Sequence, residues 1–101
     1  MPVDVGRVPC QLLSISAHKF HGPKGVGALY VRRTQRIARQ LVGGPQERER
    51  RGGTENVPGI VGMGVAAELA SAWLEAEGWR PVEALRDRFE RDIRAALPDV
   101  R

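Results

Sequence analysis

The residues best suited to covalent chemistry sit together in Ser14-Ile15-Ser16-Ala17-His18-Lys19-Phe20-His21-Gly22-Pro23-Lys24-Gly25-Val26-Gly27. Lys19 follows a short apolar segment and opens into glycine-rich backbone, a placement that suits imine formation with a carbonyl compound. An attacking amine has to be neutral, a state favoured where a lysine is partly desolvated beside a second cation. Lys24 and the neighbouring histidines could supply that field. Ser16 and His18 flank the lysine with hydrogen-bond donors, and Gly22, Gly25 and Gly27 let backbone come close to a ligand. These are the parts of a site for a phosphate-bearing carbonyl cofactor. On residue type alone, a lysine after a strand is far more often a solvated loop residue, so both readings stay open on spacing.

The elements that must position this cluster can be read from pattern. Leu12-Leu13-Ser14-Ile15-Ser16 is short, apolar and partly alternating, as a buried strand would be. Phe20 to Gly25 carries the Gly/Pro punctuation of a tight connection, and Val26 to Val31 reads as a second strand, antiparallel to the first. Gly43 to Asn56 is dense in Gly, Arg and Glu without apolar periodicity and reads as a loop. Asn56 suits a helix N-cap with Pro58 in the first turn, which predicts a helix over Val57 to Glu77 ending at Gly78. Gly59, Gly62 and Gly64 weaken that helix, so they point to close packing against a neighbour. A last helix from Pro81 carries Val82, Leu85, Phe89, Ile93 and Leu97 as one apolar stripe. Another subunit or further sequence is expected to cover it.

Two stretches resemble the cysteine desulfurases of the aminotransferase class V family. Ser16-Ala17-His18-Lys19, followed by Gly22-Pro23-Lys24-Gly25-Val26-Gly27-Ala28-Leu29-Tyr30-Val31-Arg32, is similar to the family's cofactor-lysine region. Arg50-Arg51-Gly52-Gly53-Thr54-Glu55-Asn56-Val57-Pro58-Gly59-Ile60-Val61-Gly62 is similar to its second motif, in the expected order. The resemblance implies an α/β fold, a partial large domain of a fold-type I pyridoxal-phosphate transferase, with an antiparallel strand pair around the lysine and helices after it. Residues 1–78 would be the later part of that domain and 79–101 a helix leading toward a small domain.

By the same resemblance, Lys19 would bind pyridoxal 5'-phosphate covalently, Ser16 and His18 would hold its phosphate, and Thr54 would reach the phosphate of a neighbouring subunit. The implied reaction takes sulfur from L-cysteine, leaving alanine and an enzyme persulfide for iron–sulfur cluster or thio-cofactor assembly. Implied partners are a second copy in a homodimer and an iron–sulfur scaffold or other sulfur-acceptor protein. The family's ring-stacking histidine, pyridine-pairing aspartate, substrate-gripping arginine and persulfide cysteine have no counterpart here, so this chain by itself is expected to be inactive. Pro45, Glu49 and Gly52 stand where Gly, Gly and Ser are usual, and Val42 where a histidine is common.

Composition limits the alternatives. With 101 residues there is room for one core at most. Apolar residues at 42% and charged residues at 28% favour packing over disorder. The single Cys10 excludes an internal disulfide, fits a reducing cytoplasm, and reads as a buried small apolar residue rather than a nucleophile. His18, His21 and Cys10 give no closed four-ligand metal set. No run approaching a membrane span and no signal peptide are read in the sequence. Sixteen basic against twelve acidic residues, net +4, leave two rivals. One is a non-catalytic remnant serving as an interaction piece. The other is a small nucleic-acid binder using Arg32, Arg33, Arg36, Arg39 and the Arg48 to Arg51 run. Only 5% aromatic residues, with Glu47 and Glu49 interrupting the run, count against nucleic acid.

Overall fold

A computed structural model describes residues 3–97 and 99. Met1, Pro2 and the end of the 79–101 segment (Pro98, Val100, Arg101) lie outside the described residues. Strands β1 (Leu12–Ser16) and β2 (Gly27–Val31) pair antiparallel in the register Leu12↔Val31 to Ser16↔Gly27. Gly27 is needed at the last rung, since a Cβ there would lie 2.5 Å from the Ile15 carbonyl oxygen. The second strand starts one residue later than the sequence pattern suggests. The Val26 carbonyl is used instead to accept the Ala17 N–H at 3.1 Å, which closes the connection between the strands.

Within that connection Ala17–Phe20 forms one turn of 3₁₀ helix, more ordered than the polar loop expected after β1. His21 ends it in the left-handed region at φ 67°, and the N–H groups of His21 and Gly22 both donate to the Ala17 carbonyl. Ala17 itself is completely buried.

Arg32, read from sequence among residues for a phosphate backbone, is committed to structure. Its Nε donates to the Cys10 carbonyl at 2.9 Å and an Nη to the Val5 carbonyl at 2.8 Å, with a longer 3.4 Å contact to that of Val8. The segment it grips is a turn nucleated by Asp4, whose carbonyl accepts from Arg7 and Val8 N–H and whose carboxylate accepts from Gly6 N–H. A planar guanidinium with several fixed donors suits such a cluster of carbonyls better than an ammonium would.

The expected loop over 43–56 contains a small hairpin, β3 (Pro45–Gln46) against β4 (Arg51–Gly52). Its tip holds three successive non-glycine residues at positive φ: Glu47 (51°), Arg48 (56°) and Glu49 (66°). Each pays the steric penalty of Cβ against carbonyl in that region, about 1 kcal/mol. Gly52 is buried where the hairpin crosses the preceding chain: its N–H donates to the Leu41 carbonyl, and a Cβ would sit 2.8 Å from the Val42 carbonyl carbon and Gly43 nitrogen. A serine does not fit this crossing.

Helix α1 (Val57–Glu75) begins as expected, with the Asn56 side chain accepting from Gly59 N–H at 3.1 Å and Pro58 in the first turn. It stops two residues short of Glu77, where Glu77 turns left-handed (φ 53°) and the Gly78 N–H donates to the Trp73 carbonyl at 2.9 Å. Gly78 packs there, and a Cβ on it would overlap the Trp73 indole. Helix α2 (Trp79–Ala96) starts two residues before Pro81. That places the proline inside the first turn, where its missing N–H has no intrahelical partner to lose. Along the polar side of α2 the Arg86 guanidinium hydrogen-bonds to the Asp87 carboxylate, with Glu83 and Glu90 nearby, and its pKa is held above the ordinary arginine value.

Ala17 and Ala66 are the buried hydrophobic residues among those described. Apolar side chains lie all round α1, the pattern of a helix enclosed on every side, yet Leu69 is 68% exposed. The α2 stripe is equally open, with Leu85 and Phe89 each 66% exposed. The radius of gyration of 19.4 Å compares with about 13 Å for a compact domain of this length. Helix α1 is also long and apolar enough to cross a membrane by length and composition alone, with mean hydropathy 1.4. That corrects the sequence expectation that no apolar run approaches a membrane span, although the sequence pattern predicts one helix over the same residues.

Candidate cofactor-anchoring site

Ser16, His18 and Lys19 are brought together at the point where β1 passes into the 3₁₀ turn. Ser16 occupies the N-cap position in extended conformation (φ −112°, ψ 122°), but its hydroxyl makes no capping bond. It is therefore available to a ligand. The side chains of His18 and Lys19 are exposed, and among the described residues no carboxylate pairs with the Lys19 ammonium. The backbone beneath them is tightly determined. Ala17 uses both its N–H and its carbonyl to close the turn, and Gly22 approaches so near that a Cβ would lie 2.9 Å from that of Ala17. A fixed backbone carrying exposed polar side chains is what orientation of a small anionic ligand requires.

Lys19 lines an apolar groove whose walls include Phe20, Pro23, Val65, Leu69 and Trp73. Thr54 does not share it. It lies in a separate cleft with Arg50, Arg51, Gly27 and Leu29, between the small hairpin and β2. Of the four expected site residues, Lys19 lines the groove, Thr54 lines the second cleft, and Ser16 and His18 are neighbours of Lys19 along the chain that line neither. Arg50 and Arg51, which sequence reading gave to a nucleic-acid patch, stand beside Thr54; their place directly before the Gly-Gly-Thr segment was the signal. Cys10 is half-buried in the segment held by Arg32, whose Nε donates to its carbonyl. No three His, Cys, Asp or Glu side chains cluster as metal ligands among the described residues.

The aminotransferase class-V family model matches residues 1–101. The chain belongs to that family. It is similar to the cysteine desulfurase of Sinorhizobium fredii, 48% identical over 100 residues covering 99% of this chain and 26% of the relative. It is likewise similar to a protein of Gluconacetobacter diazotrophicus with the same name (55% over 93 residues; 92% and 23% covered). The cysteine desulfurase IscS of Methanosarcina thermophila is 57% identical over 89 residues, with 88% and 22% covered. The solved structure of a NIFS-like protein superposes with a TM-score of 0.81 at 45% identity, covering 87% of this chain and 24% of that one. The chain therefore spans about a quarter of the length of the curated relatives it matches. The fold class is α/β, a strand pair and helices from part of a fold-type I enzyme domain. Aminotransferase class V is a family of pyridoxal-phosphate enzymes.

Proposed function

We propose that this chain is the cofactor-anchoring segment of a cysteine desulfurase that takes sulfur from L-cysteine and leaves alanine. The observation that carries the reading is Lys19 itself: an unpaired amine on a turn pinned by buried Ala17, in a chain about half identical to relatives named for that activity. The donor set fits pyridoxal 5'-phosphate. Lys19 offers the amine for its carbonyl, while the Ser16 hydroxyl and the His18 imidazole offer hydrogen bonds to its phosphate. When bound, the cofactor supplies an electron sink for cleavage at the substrate. With the cofactor held there, Lys19 would take up and return a proton at its Nζ.

Thr54 points to a second copy. Its cleft is separate from the Lys19 groove, which favours service to a partner's phosphate and hence a homodimer. Cys10 lies before the lysine motif, not in a persulfide loop, and is not assigned as the thiol that receives the sulfur. Relatives carrying the name IscS support an iron–sulfur scaffold or another sulfur acceptor as the onward partner. The nucleic-acid reading loses Arg32 to backbone carbonyls and Arg50 and Arg51 to the Thr54 cleft.

The test is direct. Purified chain mixed with pyridoxal phosphate and reduced with borohydride is expected to carry the pyridoxyl group on Lys19, in preference to exposed Lys24, by peptide mapping. Lys19→Ala abolishes that adduct without loss of helix content. Equal labelling of Lys19 and Lys24 would remove the basis for the reading. Alanine release from cysteine by the chain alone is expected to be absent.

A further inference from the structure

We propose that Pro23 and Gly62 form a positioning pair that sets the Lys19 turn on helix α1 and, through that helix, fixes it relative to the Thr54 segment. The proposal rests on Lys19 anchoring the cofactor, but its central contact is independent of any ligand. Both residues border the groove that Lys19 lines, so a cofactor-free readout is what separates positioning from direct contact.

Helix α1 approaches the lysine turn so closely at Gly62 that a Cβ there would lie 2.7 Å from Pro23 Cγ and 3.2 Å from Pro23 Cδ. Glycine inside a helix costs roughly 0.5–1 kcal/mol relative to alanine, so its presence calls for a local reason. The neighbouring glycines separate the possibilities. Gly64 faces open space, with nothing within 4 Å of a built Cβ, and Gly59 sits against its own cap residue Asn56. Only Gly62 meets the lysine turn. The opposing atom belongs to a proline ring, which is tied into the backbone and has no long side chain to swing aside.

From this contact a short stack leads to the lysine. Pro23 follows Gly22, Gly22 donates to the Ala17 carbonyl and packs on Ala17, and Ala17 begins the turn that carries His18 and Lys19. On the helix side, Ala66 lies one turn beyond Gly62 and is buried. Toward its start α1 is capped by Asn56, two residues after Thr54. From Asn56 to Gly62 the helix rises about 9 Å at 1.5 Å per residue. A regular helix of that length is stiff, so the Pro23–Gly62 contact determines where the lysine turn sits relative to the second motif. A shift at this contact would misplace Lys19 while leaving its chemistry intact.

The test uses the full chain and two readouts. The first is hydrogen exchange at the Ala17 and Gly22 amides, which needs no cofactor. The second is the ratio of borohydride-trapped pyridoxyl groups on Lys19 and Lys24. Gly62→Ala is expected to speed Gly22 exchange and to lower the Lys19:Lys24 ratio, each roughly tenfold, the size that overpacking a close contact produces. Circular dichroism is expected to show the helices retained. Adding Pro23→Ala to Gly62→Ala removes the opposing ring and is expected to restore most of both losses. Gly64→Ala is expected to leave both readouts at wild-type levels.

Unprotected Ala17 and Gly22 amides in the wild-type chain would overturn the proposal, as would a double variant no better than Gly62→Ala. An equal effect from Gly64→Ala would overturn it too, since that would be a helix effect rather than a contact. If exchange follows the expected pattern while Lys19 is never trapped, the positioning pair stands and the cofactor reading falls.

Discussion

Replacing Arg32 by alanine removes one side chain that closes the N-terminal segment at two separated points, the Val5 and Cys10 carbonyls, 27 and 22 residues away in sequence. Both bonds are charge-assisted and short, at 2.8 and 2.9 Å, while the 3.4 Å contact to Val8 is too long to count. Hydrogen bonds from a charged donor contribute about 1.5–3 kcal/mol each when well sheltered. Both bonds are only part-buried, so water replaces some of the loss and about 2 kcal/mol for the pair is the reasonable figure. That corresponds to roughly a thirtyfold rise in the open population of the segment. Amide exchange reads it locally: the Arg7 and Val8 N–H groups, both bonded to the Asp4 carbonyl, are expected to exchange faster by about that factor, with little change in the β1–β2 ladder. Arg32→Lys is expected to recover less than half, because an ammonium cannot span both carbonyls with a fixed fork. Unchanged protection at Arg7 and Val8 in Arg32→Ala would refute the reasoning and return Arg32 to the pool of arginines available for a partner.

Three further outcomes follow from particular contacts. Glu49→Gly, which restores the residue usual in the family at a φ of 66°, is expected to stabilise the small hairpin by about 1 kcal/mol, seen as slower exchange of the Gly52 amide. Asn56→Ala is expected to cost about 1 kcal/mol and to fray the first turn of α1, measured as faster exchange at Gly59. Gly78→Ala forces the Trp73 indole out of its place and is expected to cost about 1–3 kcal/mol, with a change in tryptophan fluorescence.

Local geometry was legible wherever one residue type has a strong backbone preference. Asn56 and Pro58 marked the start of α1, and alternating apolar residues marked β1, because capping and strand patterning act over a few residues. The small hairpin was not legible, since its tip uses Glu and Arg at positive φ, where sequence reasoning looks for Gly or Asn. The end of α1 was missed for a related reason: Gly78 looked like a helix terminator, whereas its function is to make room for Trp73. Arg32 looked like one surface charge among several until the fold brought the Val5 and Cys10 carbonyls to it.

For the site, the sequence by itself determined which residues can do chemistry: Lys19 as amine, Ser16 and His18 as its neighbours, and Thr54 in a second motif. Lys19, Ser16 and His18 stand out by functional group and short spacing, which the primary chain carries directly, whereas Thr54 enters only through resemblance to the family's second motif. Only the tertiary structure decided that Ala17, an unremarked methyl group, is the buried pin of the lysine turn, that Thr54 faces a different cleft, and that Gly62 meets Pro23 where Gly64 meets nothing. Such facts depend on which surfaces come within van der Waals distance after folding, and residues 39 positions apart, as Pro23 and Gly62 are, carry no local pattern that announces their contact.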